Sequence, residues 1–87
     1  MVLVTCSGKD APGITASLTG ILARHGLRIL DIGQAVLHGW LSLSLMFEGT
    51  GEKDALKDLL ARATELGLKL DFQLLPAARA EIGRAHV

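Results

Sequence analysis

The chain has 87 residues, 49% of them hydrophobic and 21% charged, with nine basic side chains balancing nine acidic ones. That length supports one modest core rather than two, burying roughly 60–65% of the unfolded surface, and the composition is that of a globular chain. The charge balance excludes a role resting on bulk attraction to nucleic acid or to an anionic membrane. Cys6 is the sole cysteine, which excludes an intrachain disulfide framework and a multi-cysteine metal site.

The start, Met1 to Thr5, lacks the basic leader and long apolar core of a signal peptide, and no window reaches bilayer length. A soluble cytoplasmic domain is the expectation. Val2 to Ser7 is apolar and β-branched and reads as a first strand, with Gly8 to Ala11 as a turn. From Pro12 the period becomes helical: Ile14, Leu18, Ile21, Leu22 and His25 share one face, and Gly26 supplies the stop. Arg28 to Leu37 returns to extended character, weakened at Asp31 and Gly33, and His38-Gly39 makes a compact turn. Trp40 to Glu48 alternates strictly, with Leu41, Leu43, Leu45 and Phe47 on one face. After Gly49-Thr50-Gly51, Glu52 to Leu66 reads as a second helix with Leu56, Leu59, Leu60, Ala63 and Leu66 on its apolar stripe. Leu68, Leu70, Phe72 and Leu74 then alternate with polar residues as a fourth strand.

The order βαββαβ, with two single-striped helices and four strands each offering an apolar face, predicts an α+β fold. Its compact form is a ferredoxin-like sandwich, a four-stranded antiparallel sheet with both helices on one face. Right-handed crossovers place the first and third strands centrally and leave the second and fourth as edges. The long, lightly charged second strand is an edge that invites pairing with another chain. The tail after Pro76 has no apolar period and stops at Ala85-His86-Val87 without punctuation. This predicts that residues 76–87 lead, as a tail or linker, toward a further domain of a longer protein.

The functional signal is Asp10-Ala11-Pro12-Gly13-Ile14-Thr15, at the first strand–helix junction. Pro12 suits a first helical turn, Gly13 lets another molecule approach the main chain, and Asp10 is placed to accept from first-turn donors. A helix start of this kind can hold a small anionic group such as an amino acid carboxylate. The simpler role for Asp10 is a cap contributing about 1 kcal/mol, and the two roles can coexist.

With that loop in place, the pattern over residues 1–75 resembles the ACT domain, the small amino-acid-sensing module of metabolic enzymes. Gly8 to Thr15, Leu30-Asp31-Ile32-Gly33-Gln34, and His38-Gly39 followed by Leu41 to Leu45 are together most similar to the N-terminal ACT domains of bacterial phosphoserine phosphatases. The D-x-P-G-I-T motif alone is shared with ACT domains of formyltetrahydrofolate deformylases and glycine-cleavage regulators. The resemblance implies a regulatory module of a serine-biosynthesis enzyme that binds a small amino acid, L-serine first, where it meets another ACT domain, in a homodimer or a tandem copy. The implied ligand loop is Asp10 to Thr15, with Asp10 meeting the ammonium and the Gly13 and Ile14 N–H groups holding the carboxylate. Asp31, Ile32, Gly33 and Gln34 are the implied partner side of the site. Trp40, where relatives often carry a shorter or charged residue, is a departure. The catalytic domain of such phosphatases uses a D-x-D-x-[TV] motif and magnesium. That motif is absent here, so this chain is expected to be no enzyme and to carry no cofactor. The alternatives are a purely structural dimerisation module, or the ACT domain of a formyltetrahydrofolate deformylase or glycine-cleavage regulator.

Other patterns resolve to ordinary roles. Gly8 to Thr15 nearly matches a phosphate-binding loop, but Ile14 stands where lysine is needed. Cys6 lacks the second thiolate of a copper loop, since Lys9 occupies that position, and reads as a buried strand residue. His25, His38 and His86 have no partner at ligand spacing, and Ser17, Ser42 and Ser44 have no base nearby in sequence. An RNA-recognition sheet needs paired central aromatics that three aromatics and zero net charge do not supply.

Overall fold

Strict alternation over Trp40 to Glu48 produces the strand around which the sheet is organised. A computed structural model of the chain describes residues 1–76. In order these form β1 (Val2–Lys9), α1 (Ile14–Arg24), β2 (Arg28–Leu37), β3 (Trp40–Glu48), α2 (Glu52–Glu65) and β4 (Lys69–Leu74). The sheet is antiparallel with the order β2-β3-β1-β4, the ferredoxin-like arrangement read from the sequence. The part of the predicted tail from residue 77 onward, including His86, lies outside the described residues.

Antiparallel register sets Val2, Val4 and Cys6 of β1 opposite Phe47, Leu45 and Leu43 of β3, all on the face that meets the helices. Ile14, Leu18, Ile21 and Leu22 of α1 and Ala55, Leu59 and Ala63 of α2 close over them, and every one of these side chains is buried. Cys6 is part of this core. Burial pushes its thiol up from the ordinary thiol pKa, which keeps it neutral and unreactive. The helices are tied to each other at their exposed sides by His25 Nε2 and Asp58 Oδ2 at 2.7 Å and by Arg62 Nη1 donating to Ser17 Oγ at 3.1 Å.

The turns follow the sequence with local corrections. His38 and Gly39 both have positive φ, 52° and 77°, as a two-residue hairpin with Leu37 opposite Trp40 requires. Both helices end as read. Leu27 donates back to Leu22 and Gly26 to Ala23, and Leu68 to Ala63 and Gly67 to Thr64, a closure that returns Leu27 and Leu68 to the core. β1, however, continues two residues beyond Ser7, because Gly8 and Lys9 pair with Leu41 and Trp40.

Two expectations are corrected. α1 begins at Ile14 with Gly13 as its cap residue, so Pro12 lies before the helix rather than in its first turn, and no side chain caps it. Asp10 is therefore not the cap. Its backbone N–H instead donates to Gly39 O at 2.8 Å, which places it at the end of the sheet. In α2 the buried stripe is Ala55, Leu59 and Ala63, with Leu56 half-buried, whereas Leu60 and Leu66 are 54% and 38% exposed. The small alanines let the helix sit close to the sheet and rotate its leucine-rich flank outward.

The rotated stripe makes a direct prediction. In urea unfolding, Leu59→Ala costs about 2–5 kcal/mol and Leu60→Ala less than about 1 kcal/mol. Equal losses at the two positions would contradict it.

Candidate functional site

The chain leaves β1 at Lys9 and enters α1 at Ile14, so Asp10 to Gly13 must turn it through the end of the sheet. Gly13 does this with φ 81°, a left-handed conformation that L side chains rarely adopt. The first intrahelical bond is Ser17 N–H to Gly13 O at 2.9 Å. The N–H groups of Ile14, Thr15 and Ala16 therefore have no acceptor within the helix, and no side chain supplies one. They open into a shallow cleft of about 500 Å³ lined by Asp10 to Ala16 and Gln34. Ile14 contributes only its main chain here, since its side chain is 3% exposed and anchors the turn in the core.

The far wall of the cleft is β2, and its register determines which residues reach it. Ile29 lies opposite Phe47 and Asp31 opposite Met46, leaving Leu30 as an extra residue. That bulge inverts the alternation downstream. Ile32, Gln34 and Val36 pair with Leu45, Leu43 and Leu41 and share the helix-side face, while Asp31 and Gly33 turn to the open face. Of the four β2 residues singled out from sequence, the structure brings Gln34 to the loop. Thr15 Oγ1 donates to Gln34 Oε1 at 2.6 Å and joins the helix start to the sheet edge. Ile32 lies on the same side of the sheet. Asp31 is committed locally, accepting from Ile32 N–H at 2.9 Å, and with Gly33 it lines a small depression on the other face.

Chemically, the cleft offers unpaired N–H donors at the positive end of a helix dipole and a carboxylate nearby. Asp10, Ala11, Pro12 and Gly13 are all exposed, and the Asp10 carboxylate makes no ion pair or side-chain hydrogen bond among the described residues. With its oxygen occupied by Thr15, the Gln34 amide keeps its N–H donors for a ligand. Donors for an anion beside an acceptor for a cation suit a small zwitterion. The cleft is open to solvent, where both attractions are screened, so a further surface must cover it to bind such a ligand tightly. Among the described residues, no group of three or more His, Cys, Asp or Glu is arranged to hold a metal ion. No described helix is long and apolar enough to cross a membrane.

Sequence reasoning missed Ala16 as a lining residue, and nothing in its side chain signals a contribution made by its N–H. It also missed the apolar flank of α2 beside β4, because Leu60 had the spacing of a core residue.

Known proteins share this fold. A family model described as the ACT domain matches residues 1–73. Phosphoserine phosphatase SerB2 of Mycobacterium tuberculosis is 37% identical over 76 residues, covering 84% of this chain and 18% of that protein. The chain thus spans less than a fifth of that relative's length. A UPF0237 protein of Listeria innocua is 31% identical over 75 residues, covering 82% of this chain and 84% of that protein. Among solved structures, an ACT domain protein from Streptococcus pneumoniae superposes with a TM-score of 0.70 at 28% identity, over 95% of this chain and 92% of that one.

The turn geometry separates the roles of two loop residues. Gly13→Ala costs about 1–2 kcal/mol in urea unfolding although open space surrounds the added carbon, while Asp10→Ala stays within about 0.5 kcal/mol of the parent. A loss of about 1 kcal/mol or more for Asp10→Ala would restore the capping role that the structure removes.

Proposed function

The chain belongs to the ACT domain family, and from that premise we propose that it binds a small amino acid, L-serine, in the cleft between the Asp10–Thr15 loop and Gln34. An ACT domain is a regulatory, non-catalytic module. In this reading it serves a cytoplasmic phosphoserine phosphatase-like protein of serine biosynthesis, whose own catalytic domain would carry the magnesium. The 37% identity to SerB2 over 84% of the chain supports that parent.

One observation carries the ligand proposal: the Thr15–Gln34 hydrogen bond sets the unpaired N–H groups of α1 beside the free edge of the sheet. The amino acid carboxylate takes the N–H groups of Gly13 and Ile14, and Asp10 takes the ammonium. A second ACT domain approaching along β2, as a homodimer or a tandem copy, completes the site and excludes water. Ile32 and Val36 are 45% and 47% exposed on the same side of that edge and supply the apolar part of the contact. Regulation is then linkage: a ligand bound across two modules stabilises their assembled arrangement by its preference for that arrangement.

Titration calorimetry tests the reading. At concentrations where the assembly persists, L-serine gives a saturable heat, phenylalanine gives none, and Asp10→Ala lowers the serine affinity at least tenfold. Absence of heat with serine, glycine and every other small amino acid would overturn it and leave a purely structural dimerisation module.

A further inference from the structure

A second concavity lies between α2 and β4, at the opposite edge of the sheet from the Asp10–Thr15 loop. Leu56 and Leu60 of α2 form one bank and Leu70, Phe72 and Leu74 of β4 the other, around a groove of about 600 Å³. Both its size and its apolar lining are those of a small-molecule site. Core packing does not account for it, because the buried stripe of α2 is Ala55, Leu59 and Ala63. Leu60, Phe72 and Leu74 are left largely open to water.

The charged residues on the rim are Glu52, Lys53 and Lys57. The Glu52 carboxylate is committed to the ammonium of Met1, 3.6 Å away. Lys53 and Lys57 have no ion-pair partner among the described residues. They stand one helical turn apart, with Cβ atoms about 5–6 Å from each other, so one carboxylate can reach both. Met1 also shows which end of the groove is which. Its N-terminus meets Glu52, and its carbonyl accepts from Leu75 N–H at 2.8 Å. The start of α2 therefore lies beside the end of β4. Lys53 stands at the Leu74 end, and Leu60 at the Leu70 end. The groove thus has one cationic end and one apolar end.

We propose that it binds an unbranched aliphatic monocarboxylate, with the carboxylate at Lys53 and Lys57 and the acyl chain running along β4 toward Leu60 and Leu70. Charge complementarity selects the head group, since a cationic head is repelled there and a neutral one gains no ion pair. The strand selects the tail. β4 runs without a register shift, and Leu70 to Leu74 spans about 13 Å of straight bank. An extended acyl chain rises about 1.3 Å per carbon, so that bank seats about ten carbons. Exposed ion pairs contribute little singly, so affinity comes mainly from taking the acyl chain and the groove side chains out of water. The lysines set orientation and selectivity. This site is separate from the amino acid cleft and does not rest on the ligand proposed there.

Nuclear magnetic resonance titration of the full ¹⁵N-labelled chain with decanoate, below its micelle-forming concentration, tests the proposal. Saturable amide shifts should concentrate in α2 and β4 and leave Asp10 to Thr15 unmoved. Octanoate should bind at least threefold more weakly, because each fully buried methylene is worth up to about fourfold. Decanol should bind at least threefold and decyltrimethylammonium at least tenfold more weakly than decanoate. Combining Lys53→Glu with Lys57→Glu should weaken decanoate at least tenfold and invert the preference toward the cationic amphiphile. Leu60→Asp should weaken decanoate at least tenfold, and circular dichroism checks that each variant keeps its fold. Absence of saturable shifts, shifts centred elsewhere, equal affinity for the three head groups, or indifference to the lysine reversal would overturn the proposal. Any of these would leave the groove to an apolar segment of a protein partner.

Discussion

Alternate side chains of β1 and β3 hold both helices against the middle of the sheet, and the remaining features follow from that placement. Val2, Val4, Cys6, Leu43, Leu45 and Phe47 are all within 2% of complete burial, and α1 and α2 spend their apolar stripes on them. Removing this surface from water is the dominant favourable contribution available to so small a domain. Two helices centred on two strands leave the outer strands uncovered on the helix side. Ile32 and Val36 on β2, and Phe72 and Leu74 on β4, are exposed for that reason. Among the described residues the edges therefore present apolar side chains together with unpaired backbone groups, the combination that recruits a partner.

The cleft at the start of α1 adjoins one of these edges. Gly13 turns the chain from β1 into α1, and the Leu30 bulge puts Gln34 on the helix side, where it meets Thr15. Neither device contributes to the core. Both incur a local penalty, a left-handed residue and an interrupted ladder, which is characteristic of backbone shaped for a site. In the proposed function a second module supplies the remaining wall, and a ligand that needs that wall responds to whether that module is present.

Much of this was legible in the sequence, and the failures have physical causes. Periodicity resolved β3 from Trp40 to Glu48 and the edge positions of β2 and β4, because a period of two and crossover handedness leave few alternatives. It misplaced Leu60 because 3.6-residue spacing gives a stripe about three residues wide, and only packing shows that Ala55 and Ala63 draw the helix in on one side of it. The position of Asp10 suggested a cap, but the true cap residue depends on the φ of Gly13, which a sequence motif does not fix. Asp31, Ile32, Gly33 and Gln34 read as one segment facing one partner. Strand alternation splits them between two faces, and the bulge, which no residue in Arg28–Leu37 announces, puts Ile32 and Gln34 on the helix side. The Asp10–Thr15 loop stood out in the sequence because proline and glycine restrict the backbone locally, whereas the β4 groove arises from contacts between distant segments.

If the cleft is half of a site whose other half is a second ACT domain, as proposed, ligand and partner must stabilise each other. Sedimentation equilibrium of the chain with and without saturating L-serine measures this reciprocity directly. Serine should lower the dissociation constant of the self-association at least tenfold, a coupling of about 1.4 kcal/mol, and Asp10→Ala should abolish the change. A dissociation constant unaltered by serine at saturation would contradict it.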